Sequence, residues 1–334
     1  MIDRRTFLGA LATGLLAAPL AVEGQQPGGP PSRLGYLSSG LSSQLTGNSV
    51  TAQLLKELRE GFGELGYHEG RTLAIEYRVA EGRADRLPAL AAELVRLRVE
   101  EIVAIGPAAL KAAQNATTTI PIVAIDYETD PIAAGFAAGL ARPGGNVTGI
   151  FLDQADLSGK WLELLKEGVP RMSRVAALWD SATPQHQLRA MEAAAKTLGI
   201  RLHTITIRDI GDVESAFATA AKVHAQAVVI LSSLLVGRHP QEFASLAARR
   251  ALPTISLFVE LARAGCLFAY GPEQAELYRR LGSLAARVLK GARPAELPLE
   301  RPVRFLLTIN LKTAKALGLT IPPSLLQRAD QLIE

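Results

Sequence analysis

The 334-residue chain contains a single cysteine, Cys266, and only five histidines. One thiol cannot form an internal disulfide, so the fold has to be stabilised by its hydrophobic core. The histidines, at positions 68, 186, 203, 224 and 239, lack the paired spacing of metal ligands. The composition therefore predicts neither a disulfide-stabilised protein nor a metal centre, and no cofactor is expected.

Motifs of several enzyme and nucleic-acid-binding classes are also missing. The chain has no Gly-x-Ser-x-Gly elbow and no His-Glu-x-x-His helix. The glycines of Pro143-Gly144-Gly145-Asn146 are not followed by the Lys-Ser/Thr of a phosphate-binding loop. The net charge is +4, but the basic residues are scattered, with no run longer than pairs such as Arg249-Arg250. We therefore expect a solvated basic surface and no nucleic-acid partner.

The chain lacks an apolar run long enough to span a bilayer comfortably. The stretch from Phe7 to Val22 is interrupted by two glycines and Pro19, and a spanning helix needs about 20 apolar residues. The preceding Arg4-Arg5-Thr6-Phe7-Leu8 resembles a twin-arginine export signal. We expect residues 1–24 to be a signal peptide, residues 25–32 to be a linker, and the mature protein to reach the periplasm. An ordinary first helix with a chance pair of arginines is the alternative.

The chain is rich in β-type runs that alternate with amphipathic stretches. The first series predicts strands at 33–37, 73–79, 101–105, 121–126 and 147–152 and helices at 51–66, 84–97, 108–116 and 131–140. The second predicts strands at 174–179, 201–207, 227–231 and 253–257 and helices at 157–169, 184–198, 213–224 and 240–250. A strand at 266–270, a helix at 272–290, a strand at 303–309 and a helix at 311–317 follow.

This order predicts the α/β class, with two doubly wound, Rossmann-like domains of parallel strands covered by helices. The elements left over after the second series indicate that the chain crosses between the domains more than once, which makes a hinge.

Four segments carry a resemblance to a known family. They are Asp130-Pro131, which also has the form of a helix N-cap followed by proline, the stretch 141–149 (ARPGGNVTG), Tyr270-Gly271-Pro272 and the tail 309–322 (INLKTAKALGLTIP). Together they resemble the substrate-binding proteins of ABC transporters with the type I periplasmic binding protein fold, whose studied relatives bind tryptophan, phenylalanine or similar amino acids. The resemblance implies a first lobe of residues 33–148 and 272–295, and a second of 149–271 and 296–334.

In open α/β sheets, ligands bind beyond the carboxyl ends of the strands, so the candidate site residues follow the predicted strands. They are Ser38, Ser39, Gly106, Pro107, Ala108, Tyr127, Asp130, Asp180, Ser232, Ser233, Phe258 and Tyr270. Helix N-termini would offer N–H groups to a carboxylate, Asp130 or Asp180 would hold an ammonium, and the aromatic rings would enclose an apolar body. An amino acid or a similar small zwitterion has all three features.

The resulting hypothesis is a monomeric protein that closes two lobes on a small molecule and presents it to an ABC transporter permease, without catalysing a reaction. Two alternatives remain open. One is an exported α/β enzyme in which Asp130, Asp180 or Glu260 acts as acid or base. The other is a ligand sensor that reports to a membrane receptor.

Overall fold

The computed structural model describes residues 30–152 and 154–334, apart from the side chains of residues 154–156. The predicted signal peptide and most of the predicted linker lie outside this range. The first part of the chain forms β1 (Ser32–Ser38), α1 (Val50–Gly63), β2 (Leu73–Val79), α2 (Leu87–Arg96), β3 (Glu101–Ile105), α3 (Pro107–Ala116), β4 (Ile122–Asp126) and β5 (Val147–Phe151), with short 3₁₀ helices at Ser42–Gln44 and Ala84–Arg86.

The five strands form one parallel sheet in the order β2-β1-β3-β4-β5. Every residue of β3 and β4 is buried, as expected for the centre of a parallel sheet with helices on both faces. Ser38 pairs with Ile105, and Ile105 pairs with Ile125, so the carboxyl ends of β1, β3 and β4 lie level with each other. The loops that follow these three strands therefore meet at one edge of the sheet.

The second part of the chain forms a seven-stranded sheet. Its elements are α4 (Gln154–Gly168), β6 (Arg174–Asp180), α5 (His186–Thr197), β7 (Arg201–Ile207), α6 (Asp212–Lys222), β8 (Ala227–Ile230), α7 (Leu234–Arg238), α8 (Pro240–Arg249), β9 (Thr254–Ser256), α9 (Val259–Ala264), β10 (Phe268–Pro272), α10 (Gln274–Leu289), β11 (Phe305–Asn310), α11 (Leu311–Ala316), α12 (Pro323–Arg328) and β12 (Gln331–Ile333), with a 3₁₀ helix at Pro294–Glu296. The strand order is β12-β11-β10-β9-β8-β6-β7. Pairing is parallel except between β10 and β11, so this sheet is mixed where purely parallel pairing was predicted.

Helix α10 belongs to the first sheet although it follows β10 of the second. It packs against α1, and the two helices approach closely at Gly61 and Gly282. A Cβ on Gly61 would lie 2.0 Å from the backbone oxygen of Arg279, and one on Gly282 would lie 2.1 Å from that of Leu58. No larger residue fits at either position without separating the helices. We call the first sheet with α1–α3 and α10 the first lobe, and the second sheet with its other helices the second lobe.

Over the part of the chain that the structure describes, it passes between the lobes three times: after β5, between β10 and α10, and between residue 300 and β11. Glu300 is held in the first lobe, where its backbone N–H donates to Gly149 O at 2.8 Å and its oxygen accepts from Phe151 N at 2.9 Å. Two α/β lobes with a multiply crossed hinge match the predicted fold class. Cys266 is fully buried, and burial raises the pKa of its thiol to about 12.

The helix predicted at 131–140 does not form. Asp130 Oδ1 accepts hydrogen bonds from the backbone N–H groups of Ile132 and Ala133, at 2.9 and 3.1 Å, as a helix N-cap would. The turn that it starts ends at Gly135, which has a φ of +73°. The segment then continues as turns and bends. The N-cap interpretation of Asp130 therefore describes a local turn, and the helix does not continue because Gly135 takes a left-handed backbone conformation.

Candidate functional site

A cleft lies between the two lobes at the carboxyl ends of their strands. It encloses about 780 Å³ of space, part of which is open to solvent. Its lining residues are Tyr36, Ser38, Gly40, Gln44, Val50, Thr51, Leu54, Ile105, Gly106, Ile125, Tyr127, Glu128, Ser233, Leu234, Gly237, Arg238, Phe258, Glu260, Gln274 and Tyr278. Most of this surface is apolar or aromatic, with a few charged groups, as in small-molecule sites generally.

The first lobe contributes residues from strand ends and from helices. Tyr36 and Ser38 come from the end of β1, Gly106 follows β3, and Tyr127 and Glu128 follow β4. Gly106 has a φ of +82° and is the residue before α3. A side chain there would be strained, and it would also meet the second lobe, since an added Cβ would lie 3.2 Å from Leu234 Cδ1. Glycine at this position therefore allows the two lobes to come together.

The second lobe contributes the loops after β8 and β9 and the short helix α7. The Ser233 side chain accepts a hydrogen bond from Val236 N at 3.2 Å, so it caps α7. This helix carries Arg238 to the cleft, and Phe258 and Glu260 follow β9. Gln274 and Tyr278 line the cleft from α10, the helix that returns to the first lobe.

Arg238 joins the two lobes. Its Nε donates to Leu234 O within the second lobe at 3.0 Å, and its Nη1 donates to Ser39 O of the first lobe at 3.2 Å. Burial lowers the pKa of the guanidinium, and the Asp180 carboxyl acts against that shift. Since an arginine stays protonated even when its pKa is lowered, Arg238 places a positive charge in the cleft wall.

Three carboxyl groups lie in or beside the cleft wall: Asp126 and Glu128 are buried, and Glu260 is half-buried. Glu128 is 4% exposed and lines the cavity, and Asp126, the last residue of β4, is 1% exposed and does not line it. Burial and the neighbouring Asp126 carboxyl raise the pKa of Glu128 well above its usual range, while the Ser232 hydroxyl acts to lower it. Burial also raises the pKa of Glu260, against the effects of a backbone N–H and of Arg263.

Asp126 differs from Glu128 in its hydrogen bonds. Its Oδ1 accepts from the backbone N–H groups of Glu128 and Thr129, at 2.9 and 3.1 Å. Burial raises the pKa of Asp126, and the hydrogen bonds from Thr129 and Glu128 oppose that rise. Because backbone N–H donors favour a charged carboxylate, the hydrogen bonds of Asp126 favour ionisation of Asp126 before Glu128.

The structure brings together some of the candidate residues predicted from sequence. Ser38, Gly106, Tyr127, Ser233 and Phe258 line the cavity. The remaining candidates, Ser39, Pro107, Ala108, Asp130, Asp180, Ser232 and Tyr270, do not line it.

Most of these other candidates have structural contacts. Ser39 meets Arg238 through its backbone oxygen, and Pro107 and Ala108 form the first turn of α3. Asp180 accepts from Ala182 N at 2.9 Å. Asp130 forms the turn described above.

The last two candidates lie in the second lobe. Ser232 is fully buried, and its hydroxyl donates to Gln187 Oε1 at 3.2 Å. The Tyr270 ring stacks on Phe305 with a centroid distance of 5.8 Å, and its backbone oxygen accepts from Trp161 Nε1 at 2.7 Å.

Several lining residues were missed by the sequence analysis. Glu128 directly follows the predicted site residue Tyr127, so the strand-end rule could have included it. Arg238 lies within a helix that was not predicted, and Gln274 and Tyr278 lie on α10, whose return to the first lobe has no local sequence signal. Gln44 lies in the 3₁₀ helix after β1.

Two further findings concern other kinds of site. Within residues 30–152 and 154–334, no cluster of three or more histidine, cysteine, aspartate or glutamate side chains could hold a metal ion. In the same part of the chain, no helix is both long and apolar enough to cross a membrane.

Comparison with known proteins identifies the family. The family described as ABC transporter substrate binding protein matches residues 43–333, and the chain belongs to it. A tyrosine-binding protein from Clostridioides difficile (strain R20291) is 25% identical over 279 residues, which cover 83% of this chain and 80% of that protein.

Solved structures show the same fold. An ABC domain in complex with L-Trp from Streptococcus pneumoniae superposes with a TM-score of 0.81, at 24% identity, covering 91% of this chain and all of that one. The ligand-free, open structure of a substrate binding protein with adhesive properties from Clostridium difficile gives a TM-score of 0.65, at 20% identity, covering 90% of this chain and 99% of that one.

Proposed function

We propose that the protein is an extracytoplasmic solute-binding protein that captures an amino acid between its two lobes and delivers it to an ABC transporter permease. The observation that carries this proposal is the cleft itself, which is lined by both lobes and contains a carboxyl group, Glu128, from one lobe and a guanidinium, Arg238, from the other. A ligand that pairs with both groups stabilises the closed arrangement by its own binding energy.

The cleft fits an aromatic amino acid. Tyr36, Tyr127, Phe258 and Tyr278 surround the space between the charged groups, and aromatic rings stack edge to face or offset with an aromatic ligand. Arg238 would receive the ligand carboxylate, because guanidinium groups bind carboxylates through charge-assisted hydrogen bonds. The relative that binds tyrosine and the structural neighbour that binds L-Trp support the same class of ligand.

We propose that the two lobes are in the closed arrangement. The hydrogen bond from Arg238 to Ser39 and the contact between Gly106 and Leu234 both cross the cleft. Opening of the lobes would break the Arg238–Ser39 hydrogen bond, so this bond would be present only in the closed state.

We further propose export by the twin-arginine route, on the basis of Arg4-Arg5-Thr6-Phe7-Leu8, and a monomeric mature protein. Replacing both arginines by lysine should leave the full-length precursor in the cytoplasm of the host, whereas the unchanged protein should be recovered from the periplasmic fraction. Equal periplasmic recovery of both forms would exclude the twin-arginine route.

A binding experiment tests the function. The purified protein is unfolded and refolded to remove carried-over ligand, and its thermal unfolding is measured with tryptophan, tyrosine, phenylalanine, leucine, aromatic acids and nucleosides. A ligand present at about 100 times its dissociation constant should add about 2.7 kcal/mol of stability. We expect a shift with one or more aromatic amino acids and recovery of the compound unchanged. A compound that is consumed would instead identify an enzyme, and a response to nucleosides alone would exclude an amino acid ligand.

Delivery to a permease needs a separate test in cells. Uptake of the labelled ligand should fall in a strain that lacks this protein and return when the protein is supplied. Unchanged uptake combined with tight binding in vitro would favour the sensor.

A further inference from the structure

Glu128 is a nearly fully buried acid that nevertheless forms part of the cavity wall. Its position is set by β4, whose last residue, Asp126, holds the Glu128 backbone N–H at 2.9 Å through Oδ1. The Asp126 Oδ2 atom is also buried and has no well-aligned hydrogen-bond partner among the described residues. The carboxyl-bearing residues Asp126 and Glu128 are thus both buried, and Glu128 lies in the cavity wall.

Among the described residues, none of the side chains that act most strongly on Glu128 is a cation. The polar and titratable side chains that act on it are Asp126 and Tyr127 from its own segment, Ser232 from the loop after β8, and Tyr278 from α10. Glu260, from α9, acts on Tyr127 and lines the same cavity. Arg238 is the cation of the cavity wall, and its hydrogen bonds go to the backbone oxygens of Leu234 and Ser39.

A second ionised carboxylate beside Asp126 is costly in this setting. Like charges at close range raise each other's proton affinity, and burial adds to the effect. Without a ligand, the Asp126–Glu128 pair therefore favours a state with one proton. That proton is favoured on Glu128, because two backbone N–H groups stabilise the carboxylate form of Asp126. A cation that enters the cavity reverses this preference, because it pairs with the ionised form of Glu128 and removes the need for the proton.

We propose that Glu128 is the residue that binds the ligand's ammonium group, and that it releases its carboxyl proton to solvent when the ammonium arrives. The O–H bond of Glu128 breaks, the proton passes to water or buffer, and the carboxylate that remains pairs with the ammonium, so that charge and atoms balance. This inference rests on the proposed function, since it takes the ligand to be an amino acid.

Glu260 does not fill the same role. It lies where the cavity continues into an outer space lined by charged side chains such as Lys56 and Arg263. Its Oε2 is 3.5 Å from Gln274 Nε2, and it is less buried than Glu128. Because solvent and other charges reach Glu260, an ammonium gains less from pairing with it than from pairing with Glu128.

The test measures proton release directly. Binding of L-tyrosine or L-tryptophan to the refolded protein is followed by calorimetry at one pH in two buffers with different ionisation enthalpies, so the difference in observed heat gives the number of protons released. We expect close to one proton from the unchanged protein. We also expect affinity to rise about tenfold per pH unit as the pH increases toward the pKa of Glu128 in the empty protein.

Glu128→Gln is the main variant, because an amide has nearly the shape of the protonated acid and should leave unfolding of the empty protein little changed. It should abolish proton release and weaken binding at least tenfold. Glu260→Gln is the matched control, which removes a carboxyl from the same cavity and should leave proton release in place. A second probe needs no variant: 3-(4-hydroxyphenyl)propionate, which is tyrosine without its amino group, should bind at least tenfold more weakly than tyrosine and release no proton.

The outcomes distinguish failure of the proposed function from failure of the role proposed for Glu128. If no amino acid binds and another class of compound does, the proposed function fails, and the inference fails with it. If an aromatic amino acid binds without proton release, or binds Glu128→Gln with unchanged affinity and proton release, the function stands and the inference is wrong. Equal affinity for tyrosine and for its analogue without the amino group would also overturn it.

Discussion

Glu101, the first residue of β3, is fully buried beside Leu34 of β1, and neither of its carboxylate oxygens has a hydrogen-bond partner among the described residues. Burial raises the pKa of this carboxyl well above its usual range, and the neighbouring Glu100 adds to the shift. A buried polar group without a partner costs roughly 1–3 kcal/mol in proteins. We therefore predict that Glu101→Leu increases the free energy of unfolding by about that amount near neutral pH.

The sign of the pH dependence follows from the raised pKa. Glu101 has a pKa of about 4.3 when the chain is unfolded, and the folded protein holds the proton to higher pH. The group's contribution to stability is therefore fully present below about pH 4.3 and is lost as the pH rises through the folded-state pKa. For one proton, the loss is at most about 1.4 kcal/mol per pH unit. Glu101→Gln removes this contribution, so its advantage over the unchanged protein should grow with pH.

The assay is urea unfolding of the ligand-free protein at several pH values on each side of neutrality. Asp126, Glu128, Asp180 and Glu260 also have raised pKa values, so only the difference between variant and unchanged protein isolates Glu101. Glu100→Gln is the control, since this exposed neighbour keeps its hydrogen bond to Arg33 N in amide form. A stability difference for Glu101→Gln that does not vary with pH would refute the reasoning.

The remaining predictions concern packing and binding. Gly61→Ala should destabilise the fold by about 1–3 kcal/mol, because the added methyl group meets the backbone of α10, whereas Gly63→Ala, whose nearest neighbour is a side chain at 3.4 Å, should have little effect in the same urea titration. Arg238→Gln should raise the dissociation constant of an amino acid ligand about tenfold to a hundredfold through loss of charge-assisted hydrogen bonds; it also removes the hydrogen bonds to Leu234 O and Ser39 O, so urea unfolding of the empty variant is measured separately, and calorimetry showing unaltered affinity would contradict the binding role. Phe258→Ala should weaken binding of tryptophan more than that of leucine, as competition measurements can show, because the lost contact is an aromatic one.

The sequence predicts the fold correctly where local residue patterns determine the secondary structure. The predicted strands 73–79 and 101–105 coincide with β2 and β3, because each is a short run rich in β-branched, aromatic or apolar residues between turn signals. The failure at 131–140 has the opposite origin, since a side chain and a glycine fix a turn where the rule expected a crossover helix. The five-residue helix α7 also escaped notice, because it is too short to show helical periodicity.

Fewer residues of the candidate site than of the fold could be predicted from the sequence, for a physical reason. Residues such as Tyr127 and Phe258 follow strands, so the rule that ligands bind at strand ends points to them. Arg238 belongs to a short helix and looks like an ordinary surface charge in sequence. Tyr278 reaches the cleft only because its helix, α10, returns to the first lobe. The local sequence around α10 contains no pattern that predicts this return.

The return of α10 to the first lobe also determines when that lobe can be completed. A fragment ending at residue 152 would contain all five strands of the first sheet, but it would leave the α10-facing surface of α1, with its close contact at Gly61, uncovered. The first lobe therefore stays unfinished until residues 274–289 have been synthesised, after most of the second lobe. No single cut within residues 31–334 yields two self-contained halves, so the lobes cannot be exchanged between relatives as independent modules: residues 31–334 fold together and would have to be recombined together.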